Sequence, residues 1–116
     1  TILSLGSQLF VFDVGEGTQR QLAFSKLSPH DVTKVFVTHL HGDHVLGLVG
    51  LLLQVDVSSF EVRDKVVDVY GPPGLYALLK MQLLSIESRL RMTVVIHELM
   101  GGVVRRRRRR RTDDDD

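Results

Sequence analysis

A cluster of histidines that follows an apolar strand is the feature that most restricts the fold of this chain. Residues 38–44 read THLHGDH, which places three of the chain's five histidines within six positions. Protonated imidazoles repel one another, and each ring nitrogen needs a partner, so histidines have no packing reason to crowd together. A bound cation removes both costs. The cluster therefore indicates a metal site.

The spacing of the ligands suggests how they divide. His39 and His41 are two residues apart on an extended segment, so their side chains project to the same side. Asp43 and His44 come where the chain turns into a helix predicted to begin near Val45, and an acidic residue is favoured at a helix N-terminus. Because the second pair cannot easily face the same point as the first, we predict two metals, one held by each pair. The chain has no cysteine, and a set of three imidazoles and one carboxylate suits Zn²⁺.

The pattern of apolar residues and glycine turns predicts a layered α/β sheet. A hairpin around Gly6-Ser7-Gln8 comes first, and strands then alternate with helices, the first of which Thr18 can cap. Lys34 to Thr38 is β-rich and apolar, as is typical of a buried strand. The predicted strands are 1–5, 9–13, 34–38, 66–70 and 92–99, and the predicted helices are 19–24, 45–53 and 75–90.

The last twelve residues read RRRRRRRTDDDD and distort the overall composition. They hold seven of the 15 basic and four of the 14 acidic residues, which leaves residues 1–104 with eight basic and ten acidic groups, a net charge of −2. Any argument for nucleic-acid binding from composition therefore depends on this tail alone. We expect a partial domain over 1–104 and a disordered low-complexity tail over 105–116.

Three segments resemble one known family. His39 to His44 matches the HxHxDH signature of the metallo-β-lactamase superfamily. Within it, FDVGEGTQRQL at 12–22, THLHGDHVLGLVGLL at 38–52 and YGPPGL at 70–75 resemble segments of the ribonuclease Z family. These three landmarks follow the family's order and cover roughly residues 9–99.

The resemblance implies a fold, an activity and partners. The fold would be the N-terminal half of an αββα sandwich, which leaves one sheet face uncovered. The activity would be that of a zinc-dependent endoribonuclease, with two zinc ions per complete site, that cuts precursor tRNA after the discriminator nucleotide. The intact family member is expected to be a homodimer in an intracellular compartment. The longest apolar run, Val45 to Val57, contains Gln54 and Asp56 and is too short to span a bilayer, so no membrane partner is expected.

The resemblance also assigns roles to residues. His39 and His41 would hold one zinc, and Asp43 and His44 the other. Asp43 would in addition orient or deprotonate the attacking water. Asp13 would tie the glycine turn to the histidine loop, as carboxylates behind metal ligands orient imidazoles. The family's downstream ligands, its separate catalytic histidine and its tRNA-gripping arm have no match here, so we expect at most the first half of the enzyme.

Two alternative functions remain open. Another hydrolase of the same fold could act on a lactam, a thioester or a cyclic phosphodiester, although GEGTQ at 15–19 argues against it. A non-catalytic module could bind metal through the loop or RNA through the tail.

Two other histidines are expected to be structural. His97-Glu98 lacks the second histidine of HExxH, because Gly101 stands at the fifth position, and His30 lies in an exposed turn.

Overall fold

A six-stranded sheet organises the computed structural model, which describes residues 1–101 and 103–109. The strands lie side by side in chain order, with parallel pairing at the centre and antiparallel pairing at both edges. They are β1 (Ile2–Leu5), β2 (Gln8–Phe12), β3 (Val32–Phe36), β4 (Val66–Gly71), β5 (Thr93–Met100) and β6 (Val103–Arg109).

Valine forms the centre of the sheet because its branched side chain packs well on a pleated surface. Val11, Val35, Val69 and Ile96 lie next to one another in register across β2, β3, β4 and β5. None of these four side chains is more than 1% exposed. The parallel strands therefore have the continuous apolar character of a sheet that helices cover.

Four helices connect the strands, and their apolar residues join the same core as the valines. They are α1 (Thr18–Ala23), α2 (Gly42–Val45), α3 (Leu48–Ser58) and α4 (Leu75–Ser85), and a short 3₁₀ turn spans Pro29–Asp31. The buried leucines of this layer include Leu22, Leu51, Leu52, Leu75, Leu79 and Leu83. In the part of the chain that the structure describes, no helix is long and apolar enough to cross a membrane.

Aromatic rings form a row on the other face of the sheet. Ring centroids are 4.8 Å apart for Phe12 and Phe36, 5.0 Å for Phe36 and Tyr70, and 4.3 Å for Tyr70 and His97. All three pairs are stacked nearly parallel, one ring from each neighbouring strand. A sheet whose valine face packs against helices is half of an αββα sandwich, and the predicted fold class is confirmed.

Two predicted helices differ in their bounds. The helix expected from Val45 is two helices, because α2 begins at Gly42 and the helical conformation is interrupted at Gly47 before α3. The helix expected to reach Leu90 ends at Ser85. It ends because Glu87 adopts a left-handed backbone conformation, φ 54°, and the N–H of Ser88 donates to Leu83 O at 3.0 Å, the closing pattern of a Schellman motif.

Two further predictions differ from the structure. Thr18 is the first residue of α1 and Gly17 is the N-cap, since Thr18 Oγ1 donates instead to Gly15 O at 2.8 Å. The tail was expected to be disordered from residue 105, yet Arg105 to Arg109 belong to β6 and pair with β5. Strand pairing gives their backbone groups partners that the arginine composition does not reveal. Residues 110–116 lie outside the described part of the chain.

Candidate metal centre

The histidine loop lies at the carboxyl end of the parallel strands, where open α/β sheets bind their ligands. Residues 37–41 leave β3 without helix or strand structure and lead into α2, with His41 in an extended backbone conformation. Asp13 follows the end of the neighbouring strand β2, and its N–H donates to Phe36 O at 2.7 Å. Parallel pairing therefore brings two segments that are far apart in sequence to one edge of the sheet.

Two glycines allow the turn after β2 to pack directly on the backbone of the histidine loop. The N–H of Val14 donates to His44 O at 2.8 Å, and the N–H of Gly47 donates to Val14 O at 2.9 Å. A Cβ at Gly15 would lie only 2.6 Å from Asp43 O, and a Cβ at Gly47 would clash with Gly15 O. Side chains at either position would separate the two segments.

Three of the four predicted ligands come together. His39, Asp43 and His44 each offer one ligand atom, and these atoms all lie within 4.8 Å of one another. The ring of His41 meets that of His39 edge-on, with centroids 4.6 Å apart, so the two side chains share one side as predicted. Asp43 lies in the first turn of α2, and its side chain is 79% exposed.

The cluster mixes members of both predicted pairs. The rings of His39 and His44 have centroids 3.9 Å apart, and Nε2 of His44 lies 3.2 Å from Asp43 Oδ2. The early start of α2 turns His44 back toward His39, which the expected helix start at Val45 did not anticipate. The division into one metal per pair stays a prediction.

Asp13 connects the two ends of the loop. Its Oδ1 accepts from the N–H of Thr38 at 2.8 Å and from Thr38 Oγ1 at 3.0 Å, and its Oδ2 lies 3.0 Å from Nδ1 of His44, although the latter contact lacks hydrogen-bond geometry. Burial disfavours the charged carboxylate, but the hydrogen bonds from Thr38 and the nearby His44 outweigh this and lower the pKa of Asp13. Asp13 is therefore a carboxylate anion that binds Thr38 at the start of the loop and lies beside His44 at its end.

This network favours one tautomer of each imidazole. Thr38 Oγ1 lies 2.9 Å from Nδ1 of His39, so a hydroxyl that donates to Asp13 can accept a hydrogen bond from a protonated Nδ1. At His44 the contact lacks hydrogen-bond geometry, but the negative charge of Asp13, whose Oδ2 lies 3.0 Å from Nδ1, favours a proton on that nitrogen. Both arrangements leave the lone pair of Nε2 free, which is the state of a metal-ligating histidine. The donor set thus fits a metal ion, which would accept the lone pairs that otherwise crowd together.

Thr38 is the site residue that the sequence analysis missed. It was assigned only to the end of a strand, yet its hydroxyl bridges Asp13 and His39. The available signal was its position directly before His39, because a hydroxyl there is within reach of the imidazole of the next residue.

The other two histidines lie away from the loop ligands. Nε2 of His97 is 2.8 Å from Asp68 Oδ1, and the ring stacks on Tyr70 in the aromatic row. The side chain of His30 is 48% exposed, and its Nε2 lies 3.4 Å from Asp31 Oδ1. These contacts do not involve the loop ligands, and the structural role expected of both histidines stays a prediction.

Comparison with known proteins agrees with this geometry. The sequence matches the metallo-beta-lactamase superfamily over residues 1–113. Ribonuclease Z of Methanothermobacter thermautotrophicus is 41% identical over 100 residues, which are 86% of this chain and 32% of that protein. Ribonuclease Z of Shouchella clausii is also 41% identical over 100 residues, 86% of this chain and 31% of that protein. This chain thus spans about a third of the length of these relatives.

Solved structures show the same fold. The crystal structure of the short form of human tRNase Z superposes with a TM-score of 0.75 at 37% identity, over 84% of this chain and 36% of that one. A diphosphatase of the PhnP family superposes with a TM-score of 0.64 at 18% identity, over 85% of this chain and 36% of that one, and supports the fold alone. The chain therefore belongs to the metallo-beta-lactamase superfamily, and the relatives it matches there at about 40% identity are ribonucleases Z.

Proposed function

We propose that this chain is part of a zinc-dependent endoribonuclease that removes the 3′ extension of precursor tRNA. One observation carries the proposal: His39, Asp43 and His44 converge on a point beside the 13–17 turn. That turn and the loop are the segments that resemble ribonuclease Z, the name of relatives about 40% identical to this chain. The metallo-beta-lactamase superfamily itself implies dependence on metal.

The ligands are proposed to act in two pairs. His39 and His41 would hold one zinc ion, and Asp43 and His44 a second one, with Asp13 orienting the imidazoles. When bound, the zinc ions supply a nucleophilic water at neutral pH and stabilise negative charge on a phosphodiester. Because the Asp43 carboxylate is exposed at the tip of the loop, it can accept a proton from water there.

An open pocket adjoins Asp43. A cavity of about 360 Å³ opens between the glycine turn and the loop. It is lined by Gly15, Glu16, Gly42, Asp43 and Leu46. Its position supports a substrate group that approaches the ligands from the side of Asp43, and precursor tRNA is the proposed substrate.

The test is a single-residue change in the full-length protein that contains this segment. Asp43→Asn keeps the shape of the side chain but removes its charge, so cleavage of a 3′-extended tRNA should collapse while tRNA affinity changes little. Asp31→Asn, which neutralises an acid in the 3₁₀ turn, is the matched control and should cleave normally. Turnover by Asp43→Asn equal to that of the control at saturating substrate would contradict the proposal.

The oligomeric state and the absence of a membrane partner belong to the same proposal. A homodimer is proposed for the full-length protein, and light scattering of that protein measures it directly. No membrane partner is proposed. Retention of zinc without any tRNA cleavage by the full-length protein would instead favour the alternative of a non-catalytic metal-binding module.

A further inference from the structure

Glu98 is a buried carboxyl group that the proposed site does not use. Glu98 lies near the end of β5 and is only 5% exposed. Its Oε2 accepts a hydrogen bond from the N–H of Gly74 at 2.6 Å and a longer one from the N–H of Tyr76 at 3.5 Å. A buried carboxyl group is costly unless it is hydrogen-bonded, so these amides account for its presence.

The amides that Glu98 binds belong to the turn before α4. Gly74 is the N-cap of this helix, with a left-handed φ of 96°, and no side chain caps it from within the turn. The free N–H groups of a helix start need acceptors. Glu98 supplies one from the neighbouring strand and thereby fixes the 71–74 turn to β5.

This turn lies directly behind the histidine loop. A Cβ at Gly74 would lie 3.3 Å from Cδ1 of Leu40, the residue between His39 and His41. At the other end of the turn, a Cβ at Gly71 would lie 3.3 Å from the Cβ of Val37. The turn therefore lies against the loop at Leu40, which is 37% exposed, and at Val37.

We propose that Glu98 is a positioning residue for the metal centre, which it holds through the 71–74 turn and Leu40. This inference depends on the proposed function, because it assumes that the loop binds a metal. Without Glu98, the Gly74 N–H loses its acceptor, the turn is released from β5, and Leu40 loses the surface on which it rests. His39 and His41 flank Leu40, so their imidazole rings would then be held less firmly in one position.

Asp56 offers a matched control at the opposite end of the sheet. It is 7% exposed, and its Oδ1 accepts from the N–H of Arg91 at 3.0 Å and of Met92 at 2.8 Å, just before β5 begins. Both acids are buried and both bind two backbone amides. Only Glu98 lies at the end that carries the histidine loop, so loss of Asp56 reports the purely structural effect.

The experiment titrates Co²⁺ into the full-length protein that contains this segment, as the wild type and as the variants Glu98→Ala, Glu98→Gln and Asp56→Ala, with visible absorption of the metal as the signal. Glu98→Ala should weaken Co²⁺ binding about 10-fold, the lower range for loss of a group that supports metal ligands, and should change the absorption spectrum. Glu98→Gln keeps an acceptor oxygen and should restore both. Asp56→Ala should lower thermal stability and leave the spectrum and affinity as in the wild type.

Failure of this inference is distinguishable from failure of the metal site. Wild-type binding with the same spectrum and affinity in Glu98→Ala would overturn the role of Glu98 alone. If the wild type binds no Co²⁺, the proposed function fails. The hydrogen-exchange rates of amides 38–44 in the metal-free protein then test whether Glu98 positions the loop. Faster exchange in Glu98→Ala than in Asp56→Ala supports positioning, and equal rates overturn it. If Glu98→Ala does not fold, Leu40→Ala replaces it, and unchanged Co²⁺ affinity in that variant overturns the inference.

Discussion

The hydroxyl oxygen of Thr38 lies 2.9 Å from Nδ1 of His39. Because the same oxygen is 3.0 Å from Oδ1 of Asp13, the hydroxyl can donate its hydrogen to Asp13 and accept a hydrogen bond from an N–H at Nδ1 of the imidazole. A short polar relay thus connects the anion behind the loop to one candidate ligand. The relay favours the tautomer of His39 that carries its proton on Nδ1.

Replacement of Thr38 by valine should disturb this tautomer. Thr38→Val preserves the branched shape but removes the hydroxyl, so Nδ1 of His39 loses its acceptor and the proton can move to Nε2. We expect about 10-fold weaker zinc binding, as for other losses behind metal ligands. Competition with a chelator measures the affinity, and ¹⁵N chemical shifts of the imidazole report the tautomer. Thr38→Ser should behave like the wild type; equal tautomer populations in all three proteins would contradict the relay.

A methyl group at Gly47 should disturb both stability and the metal centre. The new Cβ would clash with Gly15 O, and relief requires the glycine turn to move away from the loop. Overpacking of this kind costs about 1–3 kcal/mol of unfolding free energy. Because the N–H of Gly47 also binds Val14 O, zinc affinity should fall together with stability.

Gly6→Ala is the control for this substitution. Gly6 has a φ of 61° in the hairpin, and no atom lies within 4 Å of the position of its Cβ. The Gly6→Ala substitution should therefore lower the unfolding free energy through backbone strain alone, by about 1–2 kcal/mol. Chemical denaturation should therefore show a loss of stability in both variants, while only Gly47→Ala weakens zinc binding. Equal zinc affinity in the two variants would show that the glycine contact does not support the loop.

The sequence was sufficient for the centres and the order of β1 to β5, and it predicted the crowding of His39, Asp43 and His44. Alternation of valine-rich strands with leucine-rich helices constrains a layered sheet, and the crowding of His39, His41 and His44 has few explanations other than a metal. Both signals are local, and each is readable within about ten residues of the chain.

The details that the sequence did not reveal depend on contacts between distant segments. The start of α2 at Gly42 and the break at Gly47 depend on the backbone bonds between Val14 and the loop, which no local propensity encodes. The role of Glu98 required the position of Gly74 on another element. In β6, pairing with β5 overrides the repulsion between consecutive arginines that predicted disorder.

Lys65 should make stability depend on pH in the alkaline range. Its Nζ donates to His30 O at 2.9 Å and to Val32 O at 2.7 Å. Burial lowers the pKa of Lys65 below 10.5, with partial opposition from the charge of Asp31. Below the folded-state pKa, the folded chain bears the cost of a partly buried charge. That cost disappears as pH rises through the folded-state pKa toward the unfolded value, so the contribution of Lys65 to stability increases over this window.

Comparison with Lys65→Met isolates this effect. Urea denaturation at several pH values between 7 and 10.5 should show the stability difference moving in favour of the wild type as pH rises. The exposed Lys26 provides a control, and Lys26→Met should follow the pH dependence of the wild type. A stability difference that moves in favour of Lys65→Met as pH rises would show that the charged form is the one the fold prefers.

The arginines of β6 should bind RNA without regard to sequence. Arg105 to Arg108 are exposed on an edge strand, and alternate side chains of a strand point to opposite faces. The guanidinium of Arg107 lies 5.6 Å from the ring centroid of Tyr76, on the α4 side. Arg106 pairs with His97, whose ring belongs to the aromatic row on the other face. The two arginine pairs are therefore not equivalent.

Fluorescence anisotropy with single-stranded RNA of scrambled sequence at 50 to 200 mM salt tests this arrangement. Each phosphate contact contributes about 0.7 to the slope of log affinity against log salt for single strands. Arg106→Gln with Arg108→Gln should therefore reduce the slope by about 1.4, two contacts at that value. Arg105→Gln with Arg107→Gln removes the same charge but includes an arginine already engaged by Tyr76, so its loss should be smaller. Equal losses would mean that the arginines bind as an unstructured polycation, and RNA retention would then carry no information about tRNA recognition.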